Sequence, residues 1–470
     1  MEPKPNILFL MVDQMQGRVL NAGHPCKTPN LNKLAARGVR FTRAYTPCAI
    51  CSPARASLMT GLLPHNHGVL TVNHTMDDDQ VNLRTQYPHW AQWLAAANYK
   101  TGYFGHWHVE RYNDFEKFGW QQHGLKNDAN HPNSQPEAHY SLEGFVDSPP
   151  GYQRSRFYGV TDLPPEARGM GKWTARAAEF LDEALNGDDP WCCFVSITEP
   201  HDPYICGEKA FAQYDVDAAP LPPNLHDDLQ DRPNIYLKAG RVWQDWTDRQ
   251  HREAATCYWA SITEIDGMYG RLLDQVEKAG QLENTIVVFT SDHGELLGAH
   301  GLYCKNFTAA EEVYNIPMIV AGPGINEGHV SQARIGSHDL CPTLLELTKC
   351  EPINHSDSRS FASALHNPVQ AEQNFQTGYS EYFGGRMLLT QRVLWDGNWK
   401  FVFNGFDFDE LYNLKEDPYE MNNLAKNPNH RSRVQNMMSQ MWKIWKETGD
   451  KTLLHSTYPI LRVAPFGPGI

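Results

Sequence analysis

At 470 residues, 41% hydrophobic and 20% charged, the chain has ordinary globular proportions, enough for about two or three domains or for a large α/β domain with a small one. A formal net charge of −14 excludes the basic footprint that duplex binding requires, so no nucleic acid is expected, and any anion must be met by a compact cationic pocket and a metal. Ten cysteines in this length do not make a disulfide scaffold.

The N-terminal Met1-Glu2-Pro3-Lys4-Pro5-Asn6 leads straight into the apolar run Ile7 to Val12. That run has a strand's length, against the roughly 20 residues that cross a bilayer, so no membrane partner is expected. It lacks a signal peptide's apolar stretch and cleavage site, which predicts a cytoplasmic protein, or a periplasmic or secreted one if a signal was trimmed. In chain order, Asn6–Val12 is predicted as a strand, Thr28–Arg37 and His89–Ala97 as helices, and Lys100–Phe104 as a strand. Trp173–Leu185 is predicted as a helix, Trp191–Ile197 as a strand and His251–Ala279 as a long helix. Thr285–Thr290 and Met318–Ala321 follow as strands and Leu340–Leu347 as a helix. This alternation predicts a doubly wound, mainly parallel α/β sheet flanked by helices. Two stretches, 127–168 and 202–234, are rich in Pro with Asn, Ser, Gly or Asp and read as long insertions, usually functional or disordered. Beyond about residue 350 the pattern becomes α+β. Met387–Leu389, Trp399–Phe403 and Glu410–Tyr412 are predicted as short antiparallel strands, Asn429–Glu447 as a helix, and Leu453–Ile470 as an extended arm. The predicted division is a catalytic domain over 1–365 and a C-terminal subdomain over 366–470.

The chemistry gathers at strand ends. The first strand delivers Asp13 and Gln14; Lys100–Phe104 delivers His106 and His108; Trp191–Ile197 delivers Glu199 and His201; Thr285–Thr290 delivers Asp292 and His293. Ligands of open parallel sheets bind outside the carboxyl ends of the strands. Singly, Asp13 and Asp292-His293-Gly294 are about as well explained as turn or capping residues, and His108 and His201 as surface or satisfied core residues. Four strands ending in the same kind of residue are not so explained. Two carboxylates, an amide oxygen and an imidazole suit Ca²⁺, Mg²⁺ or Mn²⁺, and the imidazole tilts the set somewhat toward Mn²⁺ or Zn²⁺.

Cys48 and Cys51 form a CxxC that alone is uninformative; Cys192 and Cys193 read as buried free thiols. Around Cys51 the chain reads Pro47-Cys48-Ala49-Ile50-Cys51-Ser52-Pro53-Ala54-Arg55-Ala56-Ser57-Leu58-Met59-Thr60-Gly61. Pro53 early and Gly61 just past the end frame a short helix, with Cys51 at its N-terminus and Arg55 one turn on. Taken generically, that is a thiol of lowered pKa.

Cys51-Ser52-Pro53-Ala54-Arg55 resembles the C-x-P-x-R signature of the formylglycine-dependent sulfatases (type I sulfatases, alkaline phosphatase-like superfamily). The resemblance covers nearly the whole chain: Asn6 to Gln14, Thr28-Pro29-Asn30-Leu31, Ser291-Asp292-His293-Gly294-Glu295 with Gly301-Leu302, and Glu410-Leu411-Tyr412-Asn413-Leu414 with Asp417-Pro418. It implies an alkaline phosphatase-like fold and a sulfatase acting on sulfate monoesters. It implies that a formylglycine-generating enzyme oxidises Cys51, and that Asp13, Gln14, Asp292, His293 and modified Cys51 hold Ca²⁺, with Mn²⁺ or Mg²⁺ as alternatives. The hydrated aldehyde would then attack sulfur, a covalent route that divides one hard displacement into two steps. By matching positions, Arg55 stabilises the diol, Asp292 activates it, and His108 assists collapse of the intermediate. His201 protonates the leaving alkoxide, and Lys305 binds a sulfate oxygen.

One departure is visible. The family commonly reads Gly-Lys-Trp-His where this chain has Gly105-His106-Trp107-His108. On an extended segment His106 and His108 would face the same way, both toward substrate, but a fixed positive charge is lost. A more acidic pH optimum is therefore expected than for a lysine-bearing relative. The polar insertions favour a carbohydrate sulfate, small or oligomeric. A phosphonate monoester or phosphodiester hydrolase of the same superfamily, and an inert binder of sulfated glycans, are the alternatives. Arg111, Tyr112, Tyr204 and Arg386 are candidate specificity residues, and the Pro-rich tail could reach a neighbour in a homo-oligomer.

Overall fold

The computed structural model describes residues 4–74, 77, 81–124, 137–146, 151–305, 307–353, 357–385, 387–455 and 457–469. The described strands are β1 (Asn6–Val12), β2 (Gly38–Tyr45), β3 (Lys100–Gly105), β4 (Gln122–Gly124), β5 (Tyr140–Val146), β6 (Ser155–Thr161), β7 (Trp191–Ile197), β8 (Tyr204–Gly207), β9 (Thr285–Ser291), β10 (Met318–Ala321), β11 (His329–Gly336), β12 (Thr377–Tyr382), β13 (Gln391–Asp396), β14 (Trp399–Asn404) and β15 (Glu410–Asn413).

The large sheet runs β11-β2-β10-β9-β1-β7-β3-β4. Its pairs are parallel except those of β10, which is antiparallel to both β2 and β9. β1 is buried along its whole length, as a strand covered on both faces must be. Alternation divides its side chains. Leu8, Leu10 and Val12 enter a core built with the helices Gly169–Leu185 and Asp248–Lys278. Ile7, Phe9 and Met11 enter the opposite core, beside Trp90, Leu94 and Leu344. Each such buried Leu, Ile or Phe contributes about 1.5–3 kcal/mol of burial free energy, which makes this central strand a rigid platform.

β12 to β15 form a separate antiparallel sheet, covered by the helix Arg431–Thr448 through Met437, Met438, Met441 and Trp445. The expected alkaline phosphatase-like α/β architecture is thus present. Several local expectations are corrected. Met387–Leu389 is not a strand; Gly384 turns there, with φ of +96°, and the flanking segments supply β12 and β13. β2 and β11, whose mixed burial gives no continuous apolar run, carry one edge of the large sheet. The two insertions are not plain loops: their described parts supply β5, β6 and β8, a third sheet. The C-terminal arm includes the short helix Lys451–Leu454 and folds back on the helix Arg431–Thr448, the Trp442 indole N–H donating to the Phe466 carbonyl. No helix among the described residues is long and apolar enough to cross a membrane.

Candidate active site

The four strands that end in reactive residues are neighbours, in the order β9-β1-β7-β3, and all pair in parallel. Their carboxyl ends therefore share one edge. The helix Cys51–Thr60 lies buried in all ten residues and closes at Gly61, whose φ of +73° and N–H to the Ser57 carbonyl make a left-handed stop. Cys51 is its first residue, next to the strand ends.

Arg55 is the centre of the polar network and is 1% exposed. Its Nε donates to Asp292 Oδ2 at 2.8 Å and its Nη2 to Asp13 Oδ2 at 3.0 Å. Its Nη1 donates to the His106 carbonyl at 2.7 Å and to Ser196 Oγ at 2.8 Å. A guanidinium suits this task because its donors point in fixed, planar directions. Burial opposes its charge, but Asp292 and then Asp13 more than compensate and hold its pKa above the usual value. Burial likewise opposes the charge of Asp292, and Arg55, His293 and Lys305 outweigh it, so the carboxyl stays well below the ordinary range.

Asp13, Cys51, Asp292 and His293 each offer a ligand atom within 4.8 Å of the others, all buried. The thiol Sγ lies 3.2 Å from His293 Nε2 and 3.7 Å from Asp13 Oδ1. His293 Nδ1 is 2.9 Å from the Gly294 carbonyl, which can only accept. The proton is thereby assigned to Nδ1, and Nε2 turns its lone pair to the cluster, as in a metal-binding imidazole with an orienting partner. Burial lowers the His293 pKa to about 4, which keeps the ring in the neutral, ligating form. Two carboxylates and a neutral imidazole therefore fit a divalent cation.

Gln14 sits in a left-handed conformation, φ +69°, that turns its backbone N–H to Asp292 Oδ1 at 3.1 Å. Its side chain is aligned by Glu295 and Asp202, which the sequence reading did not single out, and by Lys305, which it did. Nε2 donates to Glu295 Oε2 and, at 2.8 Å, to Asp202 Oδ1, while Oε1 accepts from Lys305 Nζ at 2.6 Å. Lys305 Nζ also touches His201 Nε2. His201 Nδ1 faces the Asp202 carbonyl at 2.8 Å, so its proton belongs on Nδ1 and its Nε2 lone pair on the Lys305 side.

The site opens into a pocket of 370 Å³ lined by Cys51, His74, His108, His201, Asp202 and Lys305 among others. The His106–His108 segment is not extended as expected. Gly105 has φ of +113°, with an added Cβ 1.9 Å from the Ser196 carbonyl, and His108 has φ of +53°. These reversals still bring the rings together, His106 Nε2 lying 3.2 Å from His108 Nδ1. His106 Nε2 is also 3.6 Å from Asp13 Oδ2. Loss of water, then Arg55, His74 and Lys305, hold the His108 pKa well below its usual value.

Other expectations change. The Cys51 thiol is not an activated one: burial and then Asp13 raise its pKa. Cys48, Cys51, Cys192 and Cys193 are buried and free. The Glu199 carboxylate lies beside Gly169, away from the pocket lining. Tyr204 is fully buried, edge-on to Phe157 and Tyr258, and cannot read a substrate. Arg111 and Tyr112 line a different pocket, and Arg111 is held by the Asn73 carbonyl. Arg386 lies outside the described residues. Ser196, Asp202, Glu295 and His74 were missed as site residues. Asp202 and Glu295 stand directly in the strand-end motifs, and that adjacency was the one available signal.

A family model described as Sulfatase matches residues 5–350, and one described as N-sulphoglucosamine sulphohydrolase, C-terminal, matches residues 298–447. Choline-sulfatase of Rhizobium meliloti (strain 1021) is 30% identical over 454 residues, spanning 90% of this chain and 83% of that protein. Phosphonate monoester hydrolase of Silicibacter pomeroyi superposes with a TM-score of 0.79 at 22% identity, covering 96% of this chain and 97% of that one. A solved structure in complex with its substrate D-glucosamine-2-N,6-O-disulfate superposes with a TM-score of 0.76 at 22% identity, covering 96% and 99%. At that identity the structural likenesses establish the fold.

Proposed function

The chain belongs to the sulfatase family and is a sulfuric ester hydrolase, and we propose that it removes sulfate from a carbohydrate, with residue 51, converted from cysteine to formylglycine, as nucleophile. The observation that carries this reading is the position of Cys51: on the first turn of a buried helix, within the cluster of Asp13, Asp292 and His293, with Arg55 one turn on. Conversion by a formylglycine-generating enzyme replaces the thiol sulfur and two hydrogens by one oxygen, and the hydrated aldehyde supplies hydroxyls where a thiol of raised pKa would be inert.

Asp13, Asp292 and His293, with Gln14 beside them, would hold a divalent ion, Ca²⁺ first and Mn²⁺ or Mg²⁺ as alternatives; bound there, it would polarise the sulfate. Arg55 fixes both carboxylates and neutralises charge next to residue 51. Asp292, held ionised, is the acceptor for a hydroxyl proton at residue 51. Lys305 offers its ammonium to a sulfate oxygen. His201 turns Nε2 to that ammonium, which sets two proton-carrying groups side by side at the pocket, and His201 is the group assigned to protonate the leaving oxygen. His106 and His108 place imidazole rings where a lysine would offer a fixed charge.

The carbohydrate assignment is supported by a pocket that sets His74, His108, His201 and Lys305 among the apolar Ile50, Val72 and Phe307, polar groups for hydroxyls beside apolar surface for a sugar face, and by the glucosamine disulfate bound in the structurally similar protein. Two measurements test the proposal. Peptide mass spectrometry should find residue 51 as the aldehyde, and Cys51→Ala should abolish turnover with folding intact. Kinetics on sulfated sugars, choline sulfate, 4-nitrophenyl sulfate and matched phosphonate and phosphodiester esters should favour the sugars; a preference for phosphorus esters overturns the substrate class.

A further inference from the structure

Three imidazoles stand in contact at the pocket, and the reaction above uses two of them. His106 Nε2 lies 3.2 Å from His108 Nδ1, and His108 Nε2 lies 3.0 Å from His74 Nδ1. The His74 and His108 rings stack at 5.0 Å with an interplanar angle of 23°. His74 is exposed, yet it shares the pocket wall with His108. It stands in none of the strand-end motifs and reaches the site from the segment that follows the helix Cys51–Thr60.

A neutral imidazole has one donor nitrogen and one acceptor nitrogen. His108 is engaged at both, so the rings on either side decide which of its nitrogens carries the proton. At the inner end, the Asp13 carboxylate 3.6 Å from His106 Nε2 favours a proton on that nitrogen. His106 then donates to His108 Nδ1, and His108 must donate from Nε2. His74 Nδ1 is the acceptor in place for that N–H. The backbone of His108, at φ +53°, adds a reason for an external restraint, because a non-glycine residue in the left-handed region is held there by its surroundings.

We propose that His74 is a positioning residue for the hydrolysis: by accepting the Nε2–H of His108 it fixes the tautomer and the tilt of that ring. The inference rests on the reading of the residue-51 site as a sulfatase centre with His108 at its wall. Removing the acceptor leaves His108 free to exchange tautomers with water, and the ring at the pocket wall then holds its Nε2 proton and its tilt only part of the time.

Three variants of the mature, metal-loaded enzyme separate acceptor from packing. His74→Phe keeps a stacking ring and loses the acceptor; His74→Ala loses both; His74→Asn returns an oxygen acceptor near the Nδ1 position. On a sulfate ester that the wild-type enzyme turns over, His74→Phe and His74→Ala should each lose about 10- to 100-fold in kcat, the scale seen when an imidazole loses its orienting partner. KM should stay within about two-fold and His74→Asn should recover most of kcat, because an interaction made for the chemical step moves kcat rather than uniform binding. Full kcat in His74→Phe overturns the proposal, as does a raised KM with kcat unchanged, which would make His74 a direct substrate contact. A wild-type enzyme without sulfate-ester turnover overturns the parent reading and this one together, whereas active wild-type enzyme with indifferent His74 variants overturns this one alone.

Discussion

Arg55 joins two carboxylates, a carbonyl and a hydroxyl with one side chain. Its removal strands Asp13 and Asp292 as buried negative charges, and breaking a buried pair in this way costs about 3–5 kcal/mol. Arg55→Ala should therefore lower the unfolding free energy by about that much, measured by urea denaturation. Arg55→Lys should rescue only part, because an ammonium cannot span both carboxylates with fixed geometry. His106 poses a different question. A free imidazole gains charge only toward acid, whereas a lysine ammonium stays charged through neutrality. His106→Lys should extend activity to higher pH, read from kcat/KM between about pH 6 and 9. An identical profile in the two enzymes would remove His106 from sulfate binding.

At the scale of elements, the site depends on how strands stop. β3 ends at Gly105, where φ is +113° and a Cβ would lie 1.9 Å from the Ser196 carbonyl of the neighbouring strand. Neither the backbone conformation nor the space admits alanine. Gly105→Ala should cost about 2–3 kcal/mol, combining an unfavourable φ with displaced neighbouring backbone. It should also lower kcat by moving His106 and His108 off their partners. Thermal unfolding and kinetics on the same variant check both parts. The stop of the helix Cys51–Thr60 also needs glycine: Gly61 has φ of +73°, and an added Cβ would lie 2.9 Å from the Ser358 hydroxyl and 3.2 Å from Cys341 Cβ.

Across the whole molecule, buried charge ties the C-terminal sheet to the helix Pro64–His67 and to the end of the C-terminal helix. His65 Nδ1 lies 2.7 Å from Glu381 Oε1 on β12, and His65 Nε2 lies 3.1 Å from the Thr448 carbonyl at the end of the C-terminal helix. Arg392 on β13 pairs with Asp450 at 2.9 Å. Burial opposes a charged His65, but Glu381 dominates with the hydrogen bonds and raises its pKa to about 9. A raised folded-state pKa stabilises the fold fully below the unfolded value near 6.5, and that stability fades as pH rises through about 9. The expected loss is about 3 kcal/mol between pH 6.5 and 9.5. His65→Ala should be less stable at pH 6.5 and should lack this part of the pH dependence, read from urea denaturation across the range.

The sequence alone determined the central strands and the residues at their ends. β1, β7 and β9 are built on apolar runs, Ile7 to Val12, Trp191 to Val195 and Ile286 to Phe289, because both faces of the sheet are covered, and such runs are legible without any contact being known. The Cys51 frame was legible for a local reason too, since a helix start and its glycine stop are written within eleven residues. Only the tertiary structure decided what these groups do to one another. Gln14 meets Asp202, Glu295 and Lys305, residues 188 to 291 positions away, because the parallel crossovers bring distant strand ends to one edge. His74 reaches His108, and Tyr204 turns into the core, through paths no local pattern records. The strand-end residues are a property of the chain; their protonation, their tautomers and their shared pocket are properties of the folded sheet.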